Sequence, residues 1–117
     1  MTRRTDRVAD ALQALIAELL LREIKDPRIG LVTITGVRVS PDLRHARVFF
    51  STLGDADTHE QALAGLRSAA GFMRSQVARR LDLRVAPQLA FEFDPSLEQA
   101  ERLSRLLKDT VPPEGES

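Results

Sequence analysis

Leu66-Arg67-Ser68-Ala69-Ala70-Gly71-Phe72-Met73-Arg74-Ser75 is the stretch whose reading decides the fold. Apolar residues at helical spacing run up to Ala70 and resume at Phe72. Between them stands Gly71, which can leave helical geometry without a steric cost. The pattern predicts two helices joined by a kink at Ala69-Ala70-Gly71, with almost no loop. Small side chains at these three positions would let another backbone approach closely. Arginines flank the joint at Arg67, Arg74, Arg79, Arg80 and Arg84. A close-approach joint ringed by cations points to a phosphate backbone as partner.

Working outward from that joint, the upstream half of the pair carries the stripe Ala62, Leu63, Leu66 and Ala69. Thr58 with Gln61, or Asp57 with Glu60, has capping-box spacing at its start. The downstream half continues through Val77 and Leu81, with Ser75, Arg79 and Asp82 facing outward and Arg74 beside them. Arg80 falls near the apolar stripe and must snorkel. Val85-Ala86-Pro87 breaks the helix, and Leu89, Phe91 and Phe93 alternate with polar or small residues as a strand. Asp94-Pro95-Ser96 opens a last helix, with Ser96 and Gln99 as a capping box and Leu97, Ala100, Leu103, Leu106 and Leu107 as its stripe.

Before the joint come a helix and two strands. Val8, Leu12, Leu15, Ile16, Leu19, Leu20 and Ile24 recur at three- and four-residue steps, predicting a helix over roughly 5–24 capped by Thr5 or Asp6. Pro27 limits its end. The connection Arg22–Gly30 reads as a helix terminus with local ion pairs in preference to a charged contact loop. Leu31–Ser40 is a strand whose alternation slips at Gly36, predicting a β-bulge near Thr35–Gly36. The turn Ser40-Pro41-Asp42-Leu43 leads to a second strand over Arg44–Thr52. There Phe49 lies on the polar face, and the preferred reading is that a neighbouring side chain covers it. The short turn makes these strands antiparallel, and the helical crossover makes the third parallel to the second. The expected sheet has the second strand in the middle and all helices on one face.

Length bounds the chain to a single domain, expected over residues 1–109, with a short acidic flexible tail over 110–117. An apolar content of 43% is enough for a core, and the absence of cysteine excludes disulfides and thiolate chemistry. No apolar run approaches the roughly 20 residues of a membrane span, and the polar start is not a signal peptide, so a soluble cytoplasmic protein is expected. Net charge is zero, but unevenly spread: residues 1–85 carry fourteen Lys and Arg against ten acids, and the remainder three against seven. His45 and His59 read as lone surface histidines. No P-loop, metal-ligand cluster or nucleophile motif is present, so no cofactor, no metal and no catalysis are expected.

The order helix, strand, strand, helix–kink–helix, strand, helix resembles the type II K-homology (KH) topology, an α+β RNA-binding fold with a three-stranded mixed sheet. Standard members clamp nucleic acid with a G-x-x-G loop between the central helices, and here Ala69-Ala70-Gly71 stands in its place. That replacement resembles bacterial ribosome-binding factor A, a family with an Ala-x-Gly kink. Four other stretches match the same family in register: Arg22–Gly30 followed by Gly36-Val37; Ser40-Pro41-Asp42-Leu43 with Ala46 and Val48; Ser68–Arg74; and Arg84 with Pro87, Leu89 and Phe91. The resemblance spans about residues 4–107. It implies a non-enzymatic factor that binds the free 30S subunit and 16S rRNA. Such a factor assists late folding and 5′-end processing, matters most in the cold, and is released with the help of a maturation GTPase. A monomer is expected.

The candidate RNA-binding residues are Arg67, Gly71, Arg74, Ser75, Arg79 and Arg84 around the joint, Arg3, Arg4 and Arg7 on the first helix, and Lys25 and Arg28 in the connection. They would read the backbone rather than bases, because five Phe and no Tyr or Trp leave little for a stacking platform. The rival reading is a generic KH domain that selects single-stranded RNA by sequence.

Overall fold

The computed structural model describes residues 3–110. Six elements follow in order: α1 (Arg3–Arg22), β1 (Val32–Val39), β2 (His45–Thr52), α2 (Ala56–Arg80), β3 (Gln88–Phe93) and α3 (Ser96–Thr110). From residue 111 onward the expected acidic tail lies outside the described residues.

The sheet is the expected one. β2 is central, antiparallel to β1 and parallel to β3. Its core face presents Ala46, Val48 and Phe50, all buried. The bulge lies where the sequence slips. Ile34 pairs with Phe50 and Gly36 with Phe49, which leaves Thr35 as the extra residue. One inserted residue restores the phase, so Val32 and Ile34 before it and Val37 and Val39 after it meet the same row of β2. The Thr35 hydroxyl donates to Asp94 Oδ2 at 2.6 Å, and Asp94 Oδ1 accepts the Ser96 N–H at 2.9 Å. The bulge is thereby tied to the start of α3.

α1 lies against β1, α2 lies mainly against β3, and the two helices touch each other. Leu12, Leu15, Ile16 and Leu19 form the buried stripe of α1; Ala62, Leu66, Met73 and Val77 form that of α2. Phe50, Leu12, Ile16, Leu19, Leu66, Met73, Val48 and Val77 are fully buried, each worth about 1.5–3 kcal/mol against an exposed side chain. α1 starts at Arg3, ahead of the expected caps, and Thr5 is a buried residue inside it.

Four expectations are corrected. First, the central segment is one uninterrupted helix of 25 residues. Gly71 is helical and exposed, and a Cβ built on it meets nothing within 4 Å. The close approach happens at buried Gly65, where a Cβ would stand 2.7 Å from Ile29 Cγ1 in the α1–β1 connection. Second, α2 is capped by Asp55, whose Oδ1 accepts the Thr58 N–H at 2.9 Å and the Thr58 hydroxyl at 3.0 Å. Third, α3 does not join the layer made by α1 and α2. Leu97, Leu103, Leu106 and Leu107 remain between 51% and 57% exposed. Fourth, Phe72, read as a core residue, is 44% exposed.

Candidate nucleic-acid interface

The continuous α2 sets the main arrangement. Arg67, Gly71, Ser75 and Arg79 recur every fourth residue, and all four are exposed. At 1.5 Å rise per residue the two arginines are about 18 Å apart along the helix axis, on a row that winds about 40° around the helix at each step. Gly71 adds bare backbone in the middle of that row, where a ligand can approach closely. Neither the Arg67 nor the Arg79 side chain has a hydrogen bond or ion pair among the described residues.

Other arginines have partners within the fold. Arg74 Nε donates to the Pro87 carbonyl at 3.1 Å and Nη2 to the Ala86 carbonyl at 3.2 Å. This half-buried side chain braces α2 against the turn before β3. Arg80 does not snorkel. It is exposed and pairs with Glu23 at 3.2 Å, tying the end of α2 to the end of α1. Arg28 forks onto Asp26, with Nη2 2.7 Å from Oδ2, and Nη2 also donates to Ser68 Oγ at 3.1 Å. That hydrogen bond from Arg28 is the largest cause holding the Asp26 carboxyl below its ordinary value. The connection after α1 is thus a region of local ion pairs, as its mixed charges predict, and it docks onto α2 at Gly65.

On the uncovered sheet face Arg47 binds Glu92 through two nitrogens, the longer contact being 3.1 Å. Its guanidinium also lies 5.1 Å from the centroid of the Phe49 ring. Phe49 is therefore covered by a neighbouring side chain, as read from its place on the polar face. His59 is half-buried rather than a surface residue. Its ring stacks on Phe93 at 3.9 Å between centroids, and Nε2 is buried 3.5 Å from Glu98 Oε1.

A second group of cations meets away from the α2 row. Arg4 on the first turn of α1, Arg44 just before β2 and Arg84 in the α2–β3 loop line one cleft of about 210 Å³, together with Asp42, Leu43, Leu83 and Val85. The sequence reading included Arg4 and Arg84 but missed Arg44. Its position just before a strand carries no periodic signal, and only the turn geometry brings it to the other two. Arg3, Arg7 and Lys25 are exposed. Among the described residues no group of three or more His, Asp and Glu is placed to hold a metal ion, and no helix is long and apolar enough to cross a membrane.

The arrangement is a KH-like topology without a clamping loop, carrying exposed arginines on α2 and at one end of the sheet. A family model described as Ribosome-binding factor A matches residues 4–107. The chain belongs to the ribosome-binding factor A family. Ribosome-binding factor A of Geobacter metallireducens is 45% identical over 115 residues, covering 98% of this chain and 98% of the relative. The crystal structure of ribosome-binding factor A from Thermus thermophilus aligns with a TM-score of 0.66 at 28% identity, covering 75% of this chain and 93% of that one. A Thermus thermophilus ribosome-binding factor A model, fitted into a cryo-EM map of its complex with 30S, aligns with a TM-score of 0.59 at 27% identity, over 82% of this chain and 97% of that one. The α+β fold with its three-stranded mixed sheet is thus the family's fold.

Proposed function

We propose that this protein is a cytoplasmic, non-catalytic assembly factor that binds the free 30S subunit as a monomer and assists late maturation of 16S rRNA. The observation that carries this reading is the family match over residues 4–107. The Thermus thermophilus relative fitted into a 30S complex supports the choice of partner. Processing of the 16S 5′ end, greatest need in the cold, and release aided by a maturation GTPase complete the proposal.

In this reading the row Arg67–Gly71–Ser75–Arg79 lies along an rRNA backbone. Arginine offers a planar fork of donors that matches phosphate oxygens. Arg3, Arg7 and Lys25 add charge around the row. Arg74 and Arg28 act through the fold: the one positions the end of α2 against β3, the other holds the connection onto α2. Such contacts release counterions and make binding depend strongly on salt.

Co-sedimentation of the full chain with purified 30S, 50S and 70S particles tests the proposal. Association with 30S and not with 50S or 70S is expected. Co-migration with 70S alone overturns it.

A further inference from the structure

Arginines in this protein fall into two classes. Arg28, Arg47, Arg74 and Arg80 each have a carboxylate or carbonyl partner within the fold. The side chains of Arg4, Arg44 and Arg84 make no hydrogen bond or ion pair among the described residues, yet these residues line the same cleft of about 210 Å³. Three segments far apart in sequence supply them: the first turn of α1, the β1–β2 turn and the α2–β3 loop. Like charges gathered in one concavity repel unless something of opposite sign joins them. The one carboxylate lining the cleft, Asp42, has its Oδ1 engaged by the Ser40 hydroxyl at 2.6 Å and the Arg44 N–H at 3.0 Å. Three guanidiniums against one carboxylate leave an excess of positive charge over an apolar lining of Leu43, Leu83 and Val85.

The cleft is also held by its backbone. The Gln88 N–H donates to the Arg44 carbonyl at 2.8 Å, fixing the β2 wall against the loop that carries Arg84. Both turns that present these arginines contain a left-handed residue other than glycine, Leu43 at φ 61° and Asp82 at φ 50°. L-residues take that conformation at a cost, and such residues gather where geometry serves a ligand.

Resting on the 30S reading above, we infer that the Arg4–Arg44–Arg84 cleft is a phosphate site that seats the RNA sugar-phosphate backbone, separate from the row on α2. No aromatic lines it, so a base has nothing to stack on. Planar guanidiniums carried by three separate segments suit the oxygens of a phosphodiester.

The test is a salt series of 30S binding by the full chain, comparing wild type with Arg44→Ala/Arg84→Ala. Each lost phosphate contact lowers the slope of log affinity against log salt by about 0.7–0.9, so the double variant is expected to be shallower by about 1.4–1.8. Its melting temperature is expected to match the wild type, since neither side chain has an internal partner. If it does not, Arg44→Gln/Arg84→Gln keeps the side-chain bulk and gives the same reading. A double variant that binds 30S with unchanged affinity and slope overturns the cleft and leaves the 30S reading intact. Wild type that ignores 30S, with a double variant that loses affinity for a fluorescein-labelled single-stranded RNA, upholds the cleft and overturns the 30S reading. Pyrophosphate that competes with that RNA at equal or lower concentration assigns the cleft to a small phosphate compound and overturns the RNA backbone as its occupant.

Discussion

Gly65 and Gly71 lie on the same helix and meet opposite surroundings. At Gly65 a Cβ would be 2.7 Å from Ile29 Cγ1, a methylene next to the branch point of a buried side chain, with Arg28 Cβ and Asp26 Oδ2 at 3.4 Å. The connection cannot withdraw without disturbing the Asp26–Arg28 pair. Gly65→Ala is expected to destabilise the protein by about 1–3 kcal/mol, as overpacking does. Gly71→Ala meets open space in a regular helix and is expected to stabilise by up to about 1 kcal/mol, the difference in helix propensity. Urea denaturation of the two variants decides the matter; a destabilising Gly71→Ala would restore a strained joint at that position. A glycine's role depends on what lies opposite it, and the neighbour of Gly65 is more than thirty residues away in sequence.

Among the elements, α2 and α3 depart furthest from their sequence patterns. Gly71 looks like a break because it interrupts the apolar run. A glycine costs a helix only about 1 kcal/mol relative to alanine, and burial of Leu66 before it and Met73 and Val77 after it outweighs that. α3 has the reverse problem. Its stripe of leucines is as regular as that of α1, but Leu97, Leu103, Leu106 and Leu107 stay more than half exposed. Periodicity shows that a helix has an apolar face; it does not show that the fold supplies a surface for it. Leu97→Gln and Leu103→Gln, both more than half exposed, are expected to change stability by less than about 0.5 kcal/mol. Leu66→Ala, at a fully buried site, is expected to cost about 2–5 kcal/mol. Equal losses at the three sites, measured by chemical denaturation, would place α3 in the core.

At the scale of the whole molecule, turns, caps and a cross-strand pair rest on exposed or half-buried carboxylates that accept hydrogen bonds. Asp42 accepts from the Ser40 hydroxyl, Asp55 from the Thr58 amide, Glu92 from Arg47 and Asp94 from the Thr35 hydroxyl, and each bond holds its carboxyl below the ordinary value. A carboxyl with a depressed folded-state pKa binds its proton more weakly when folded than when unfolded. Its stabilising effect is complete above the unfolded value and is lost as pH falls through the folded one. The ordinary values are 3.8 for Asp and 4.5 for Glu, so the melting temperature is expected to hold from neutral pH down to about 5 and to fall below about 4. Asp94→Asn is expected to flatten part of that fall, because Asp94 joins the bulge to α3. A melting temperature that rises on acidification from pH 5 to 3 contradicts this account.

Elements, sheet order and bulge were legible in the sequence because they depend on neighbours a few residues apart. Val32, Ile34, Val37 and Val39 carry the slip in phase themselves, and the short turn at Ser40–Leu43 leaves only an antiparallel pairing. The family, too, was legible in stretches such as Arg22–Gly30 and Ser68–Arg74. The division of labour among the arginines was not. Arg67 and Arg74 look equivalent in a list of cations, yet one faces solvent and the other binds the carbonyls of Ala86 and Pro87. Arg44 joined Arg4 and Arg84 only when three elements closed on one cleft. Local sequence determined the elements and the order of the sheet; tertiary structure decided which charges neutralise the fold and which remain for a partner. The reason is physical: hydrogen bonds and ion pairs act over a few ångströms of space, and folding alone sets those distances between residues far apart in the chain.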